Sequence, residues 1–177
     1  MTSGDLGQRG GATASERQAQ VQLRDEASGS GVIVRKILRA LPEWFGIEEA
    51  VENYVAVADR SATTVASLAG ADVGVLTLVA HGHYAAEVYV MAVLPEHHHA
   101  GIGRAMLERI EATLGRAGVE FLQVKTLAAG HPDEGYARTR AFYLAYGFRP
   151  LEEFPDLWSP ENPALQMVKT VAGPSAT

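Results

Sequence analysis

The stretch from Glu87 to Ala117 constrains the chain most. A Val-rich run, Glu87 to Leu94, reads as a strand. Pro95 ends it, because proline cannot donate to a sheet ladder. Beyond a short loop, Ile102, Met106, Ile110, Leu114 and Ala117 recur at helical spacing, and Gly118 stops them. A strand that feeds a helix through a glycine-containing loop implies a layered α/β architecture. It also leaves a helix N-terminus at the end of the strand. Such a terminus carries unpaired N–H groups and a partial positive charge, and it suits phosphate.

The rest of the sequence is read outward from this unit. Residues 1–31 are rich in Gly, Ser, Ala, Gln and Arg without apolar periodicity. They read as a disordered N-terminal extension, with room for a short helix over 15–24. The folded domain is expected over 32–171 and a flexible tail over 172–177. Val32, Ile33 and Val34 suggest a first strand, and Pro42 starts a turn that presents Trp44 and Phe45. The spacing of Ile47, Ala50, Val51, Tyr54, Val55 and Ala58 predicts an amphipathic helix. Thr63 to Leu68 and Val73 to Val79 read as strands joined by a turn at Gly70-Ala71-Asp72. Phe121 to Leu127 is a further strand. Tyr136 to Tyr146 is a second strong helix, closed by Gly147. Phe148 to Phe154 and Ala164 to Lys169 are the last strands.

Composition narrows the chemistry. The chain has no cysteine, which excludes disulfides, a cysteine nucleophile and thiolate-bound zinc, and fits a cytoplasmic location. A net charge of −6 without a long basic stripe argues against nucleic acid as partner. No apolar run approaches the roughly 20 residues of a membrane span.

The glycines of the loop admit several readings. A P-loop needs Gly-Lys-Ser/Thr, but Gly103 is followed by Arg104-Ala105. A dinucleotide fingerprint needs a third glycine where Met106 stands, which disfavours a Rossmann-type oxidoreductase. The glycines alone fit a tight strand–helix connection equally well. His98-His99-Ala100-Gly101-Ile102-Gly103, however, resembles the Arg/Gln-x-x-Gly-x-Gly/Ala motif of the GNAT superfamily of acyl-CoA-dependent N-acyltransferases, with His98 where the family usually has Arg or Gln. The preceding strand, Ala86 to Val93, looks like the family's fourth strand. Ala141-Phe142-Tyr143-Leu144-Ala145-Tyr146-Gly147-Phe148 looks like its Phe-Tyr…Gly-Phe block. The resemblance covers roughly residues 32 to 170.

The resemblance implies a mixed, mostly antiparallel central sheet of six or seven strands flanked by about four helices. It implies acetyl-CoA as acyl donor and a small-molecule or peptide amine as acceptor, attacked directly in a ternary complex. Homodimers are common in the family. Main-chain groups of His98, His99, Ala100, Gly101, Ile102, Gly103 and Arg104 are then expected around the pyrophosphate. Met91, Ala92 and Val93 are expected at a bulge that frees strand groups for the pantetheine arm. Glu87 aligns with the general base of histone-type members, and Tyr143 with the tyrosine that protonates the leaving thiolate. Trp44, Phe45 and Trp158 are placed at the acceptor site, with His131 as an outer candidate.

Bland readings stand beside these. Glu87 fits an edge salt bridge, Tyr143 fits core packing, and the aromatics fit ordinary loop packing. His81 and His83 read as exposed turn residues. His97, His98 and His99 suggest a metal, yet three consecutive residues rarely converge on one ion, so none is expected. The rival functional class is a non-catalytic acyl-CoA-binding domain that regulates a partner.

Overall fold

The first ordered elements differ from the sequence expectation. In the computed structural model, which describes residues 21–173, the chain enters as a strand, β1 (Val21–Glu26), inside the segment expected to be disordered. The helix expected over 15–24 is thereby corrected over its described part, since residues 21–24 are extended; the remainder lies outside the described residues. Val32 to Val34 form no strand. They open a helix, α1 (Gly31–Arg39). The Val-Ile-Val run favours a strand by local propensity, an effect spanning only about 1 kcal/mol. Val34, Ile37 and Leu38 lie on one helical face and are fully buried, while Val32 stays 74% exposed. Burying each such side chain contributes roughly 1.5–3 kcal/mol, so tertiary packing wins. Asp59 completes the helix start by accepting the Gly31 N–H at 2.7 Å. A Cβ on Gly31 would lie 2.5 Å from that carboxylate, so glycine is needed there.

The remaining elements are α2 (Glu48–Ala58), β2 (Thr63–Leu68), β3 (Ala71–His81), β4 (Ala85–Val93), α3 (Ile102–Arg116), β5 (Phe121–Leu127), α4 (Glu134–Tyr146), β6 (Arg149–Ser159) and β7 (Asn162–Thr170). The β2–β3 turn is Ala69-Gly70, one residue earlier than the expected Gly70-Ala71-Asp72, because Ala71 already pairs with Leu68. Both turn residues have positive φ, which suits the twist of a tight hairpin.

The seven strands lie in the order β1-β2-β3-β4-β5-β7-β6. Every neighbouring pair is antiparallel except β4–β5. On one face α1 and α2 pack Val34, Ile37, Leu38, Val51 and Val55 against Val65, Val75, Val90 and Ala92. On the other, Met106, Leu107 and Ile110 of α3 and Tyr143 of α4 pack against Leu76, Ala86, Val88, Leu122 and Val124. Val88 and Val90 therefore serve opposite cores, although a regular strand would put them on one face. The cause is a register shift: Leu78 pairs with Val88 and Thr77 with Val90, which leaves Tyr89 as the extra residue of a bulge.

Candidate active site

The sheet forks just beyond that bulge. Parallel pairing of β4 with β5 runs from Ala85↔Phe121 to Val88↔Val124 and ends. β4 then stays on β3 as far as Val93, while β5 follows β7 as far as Leu127. A cavity of about 670 Å³ opens at the fork, lined by residues of β4, β5, α3, α4 and their loops. The bulge sits at Tyr89, not at Met91 to Val93 where it was expected. It belongs there because the twist it adds parts the strands just past the last β4–β5 pair. Met91, Ala92 and Val93 lie on the forked arm and line the cavity. Leu94 donates its N–H to Val73 of β3 at 2.9 Å. Antiparallel alternation then turns the N–H and C=O of Met91 and Val93 toward the fork, and those of Ala92 toward β3. The Val93 carbonyl already accepts a 2.8 Å bond from His98 Nε2.

The loop after β4 leaves the start of α3 open. His99 and Gly101 both have positive φ, 60° and 81°, and Gly101 is the residue just before the helix. No side chain caps α3, and no acidic residue stands in its first turn. The first helical bond runs from Ala105 N–H to Gly101 C=O. The amides of Ile102, Gly103 and Arg104 thus have no partner among the described residues. His98, His99, Gly101, Ile102, Gly103 and Arg104 line the cavity, joined by His97, whereas Ala100 does not. Gly103 has a second reason to be glycine: a Cβ there would meet the Phe142 ring at 3.3 Å. The Arg104 guanidinium turns along the helix to Glu108 at 2.8 Å, so the loop offers main-chain rather than side-chain donors.

Across the cavity, α4 starts at Asp133, whose carboxylate accepts the Tyr136 N–H at 2.9 Å. It ends at Gly147, φ 114°, where Phe148 N–H returns to the Tyr143 carbonyl. Tyr143 is the one buried residue of this helix and also lines the cavity. Its ring sits edge-on between Phe142 and Phe148, centroids 5.4 and 5.3 Å away. Burial pushes its phenol well above the ordinary tyrosine range, so the group holds its proton.

Glu87 is only 4% exposed and does not reach the cavity wall. Its Oε1 accepts from Lys125 Nζ at 2.8 Å, and its Oε2 lies 2.6 Å from His81 Nε2. Lys125, not Glu87, forms the lining. Sequence reasoning missed Lys125, although a lone cation inside the apolar Phe121 to Leu127 strand was a usable signal. His81, expected at a strand end and exposed, is the last residue of β3 and half in solvent, and its ring is directed at Glu87.

Trp44, Phe45 and Trp158 line the cavity together with Tyr54, Tyr89 and Tyr136. The three tyrosines carried no sequence signal apart from helical or strand packing. His131 is not brought to the cavity. Its Nδ1 accepts the Asp133 N–H at 3.2 Å, and it acts as a loop staple before α4. His98 faces the Trp44 ring edge-on at 5.9 Å, and no cluster of three His, Cys, Asp or Glu among the described residues is arranged to hold a metal. No helix among them is long and apolar enough to cross a membrane.

The Acetyltransferase (GNAT) domain family matches residues 35–150. A protein from Desulfovibrio desulfuricans assigned to the GNAT family superposes with a TM-score of 0.74 at 19% identity, covering 86% of this chain and 99% of the other. A GNAT family acetyltransferase from Elizabethkingia anophelis, solved with acetyl-CoA bound, gives 0.64 at 14% identity over 85% and 98% of the two chains. The ribosomal-protein-S18-alanine N-acetyltransferase of Escherichia coli gives 0.64 at 16% identity over 88% and 99%. No curated protein matches the sequence significantly. The domain match runs from within α1 through the end of α4. The chain belongs to the GNAT family of acetyltransferases.

Proposed function

We propose that the protein is an N-acetyltransferase that uses acetyl-CoA as acyl donor and an amine as acceptor. The observation that carries this reading is the uncapped start of α3, which opens onto the same cavity as the forked strands and Tyr143. The fit is chemical. Unpartnered amides at Ile102, Gly103 and Arg104, with a helix dipole behind them, suit a pyrophosphate. The free edge of Met91 and the N–H of Val93 suit an amide-bearing arm. Acetyl-CoA supplies the acetyl group as an activated thioester. His98 holds the Val93 carbonyl and thereby ties the loop to the strand.

The residues then divide the work. Tyr143, protonated by virtue of its burial, gives its phenolic proton to the departing thiolate sulfur. Glu87 takes the ammonium proton of the acceptor through an intervening water, since Lys125 stands between its carboxylate and the cavity. The acceptor nitrogen forms a bond to the carbonyl carbon as the carbon–sulfur bond breaks; the proton the nitrogen then sheds restores the Tyr143 phenol, and the ammonium proton taken by Glu87 passes to solvent, one per turnover. Holding both substrates in one cavity supplies much of the acceleration.

The test is calorimetry with acetyl-CoA, followed by detection of free thiol with an amine panel. Binding together with amine-dependent thiol release is the expected result. Tight binding without thiol release on any amine would establish the non-catalytic acyl-CoA-binding alternative. Absence of binding rejects both.

A further inference from the structure

The cavity has two chemically different ends. One is the loop, the α3 start and the forked strands, described above. The other is walled by Trp44 and Phe45 between α1 and α2, Tyr54 of α2, Tyr89 at the bulge and Trp158 of β6. Phe45, Tyr54 and Tyr89 form a chain of edge-on rings with centroids 5.8 and 5.7 Å apart. Trp158 is 45% exposed and stands at the open side. The hydroxyls of Tyr54 and Tyr89 make no hydrogen bond to the described residues. Burial raises the Tyr54 phenol, with smaller contributions from Tyr89 and the Glu87 charge, so it remains a neutral donor.

The charges of the wall are one-sided. Lys125 and Arg138 contribute to it, Arg104 lies at the loop end and pairs with Glu108, and no aspartate or glutamate lines the cavity. The molecule's net charge of −6 therefore does not extend into the cavity. Glu87 is the nearest carboxylate along β4, and Lys125 and His81 take both its oxygens.

Resting on the acetyl-transfer reading, we propose that the acceptor is an amine carried on an aromatic body and bearing no second positive charge. A flat ring gains edge and face contacts with Tyr54, Tyr89 and Trp158. A polar substituent on it finds the two phenol hydroxyls. The reacting ammonium rests against aromatic faces until it loses its proton. Against the Tyr54 and Tyr89 wall a second ammonium would be desolvated with no carboxylate lining that part and with Lys125 nearby, while the carboxylates of the adjoining depression, Glu43, Asp133 and Glu134, share it with Arg138. Polyamines and aminoglycosides are disfavoured on that ground.

Acetyl-CoA binding to the full chain is measured first by calorimetry, and its absence removes the acetyl-transfer reading. With binding in place, kcat/KM is compared for 2-phenylethylamine, tyramine, butylamine, spermidine and an aminoglycoside. The aromatic monoamines are expected to exceed the others by at least about tenfold, the scale a shaped pocket achieves. Trp158→Ala, a change at a half-exposed position, is expected to raise KM for the aromatic amines several-fold while calorimetric acetyl-CoA binding persists. Equal or better turnover of spermidine or the aminoglycoside overturns the inference. So does a protein that binds acetyl-CoA and turns over no aromatic amine.

Discussion

Lys125 holds its Nζ 2.8 Å from Oε1 of Glu87, and of the two only the lysine reaches the cavity wall. The carboxylate is thus within reach of an acceptor only through a relay. His81, on the far oxygen, is half exposed and links the same carboxylate to solvent. Glu87→Gln keeps the shape but can neither take a proton nor balance Lys125. Its kcat/KM is expected to fall by about 10²–10⁴. Wild-type kcat/KM in this variant rejects the role.

Tyr143 offers a cleaner substitution, because Phe removes one oxygen from a ring already packed between Phe142 and Phe148. Burial holds this phenol protonated through the whole working range, so its contribution should not titrate at alkaline pH. Tyr143→Phe is expected to lower kcat by about 10² or more with little change in Tm. Wild-type kcat in this variant would show that the tyrosine serves packing alone.

His98, which the resemblance sets where the family usually has Arg or Gln, donates from Nε2 to the Val93 carbonyl at 2.8 Å. A net hydrogen bond contributes about 0.5–1.5 kcal/mol, which is about twofold to tenfold in an equilibrium constant. His98→Ala is expected to weaken acetyl-CoA binding by that factor in calorimetry. His98→Gln, which restores a side-chain N–H donor, should recover most of it. Equal affinity in the alanine variant would mean that the bond is incidental to the loop.

Most of the fold was legible because its long elements repeat cleanly. Thr63 to Leu68 and Phe121 to Leu127 coincide with β2 and β5, and the apolar face from Ile102 to Leu114 coincides with α3. The cavity-lining loop was legible because Gly101 and Gly103 mark it. What failed was context. Val32 to Val34 carry strand propensity, but α2 and the sheet offer Ile33 and Val34 a helical packing surface that local sequence does not encode. The Tyr89 bulge was invisible because it depends on the β3 register. Lys125 became meaningful only when β5 lay beside Glu87. Strand β1 was hidden because only Val21 and Leu23 are apolar; its hold on the sheet is largely polar.

That polar hold gives β1 a pH-dependent anchor. Arg24 bonds Asp72 on β3 at 2.6 and 3.0 Å and Ser67 on β2 at 2.7 Å, while Ser67 also donates to Asp72. The Arg24 hydrogen bonds hold the Asp72 carboxyl below its usual range, against an opposing push from burial. A depressed carboxylate contributes stability that is present above the unfolded pKa, about 3.9, and is lost as pH falls through the lower folded value. Asp72→Asn removes the charge but keeps the size. After discounting for solvent screening of a partly exposed pair, the loss is about 1 kcal/mol or less at neutral pH. For a domain of this length that corresponds to a Tm lower by about 2–4 °C or less. The gap between wild type and variant should narrow as pH falls below about 3.9, where the Asp72 carboxyl of the unfolded chain binds its proton while the folded one stays ionised to lower pH. Thermal melts followed by circular dichroism at pH 7 and pH 3 check both parts. A gap that persists unchanged at pH 3 would show that Asp72 anchors β1 by shape and hydrogen bonding rather than by charge.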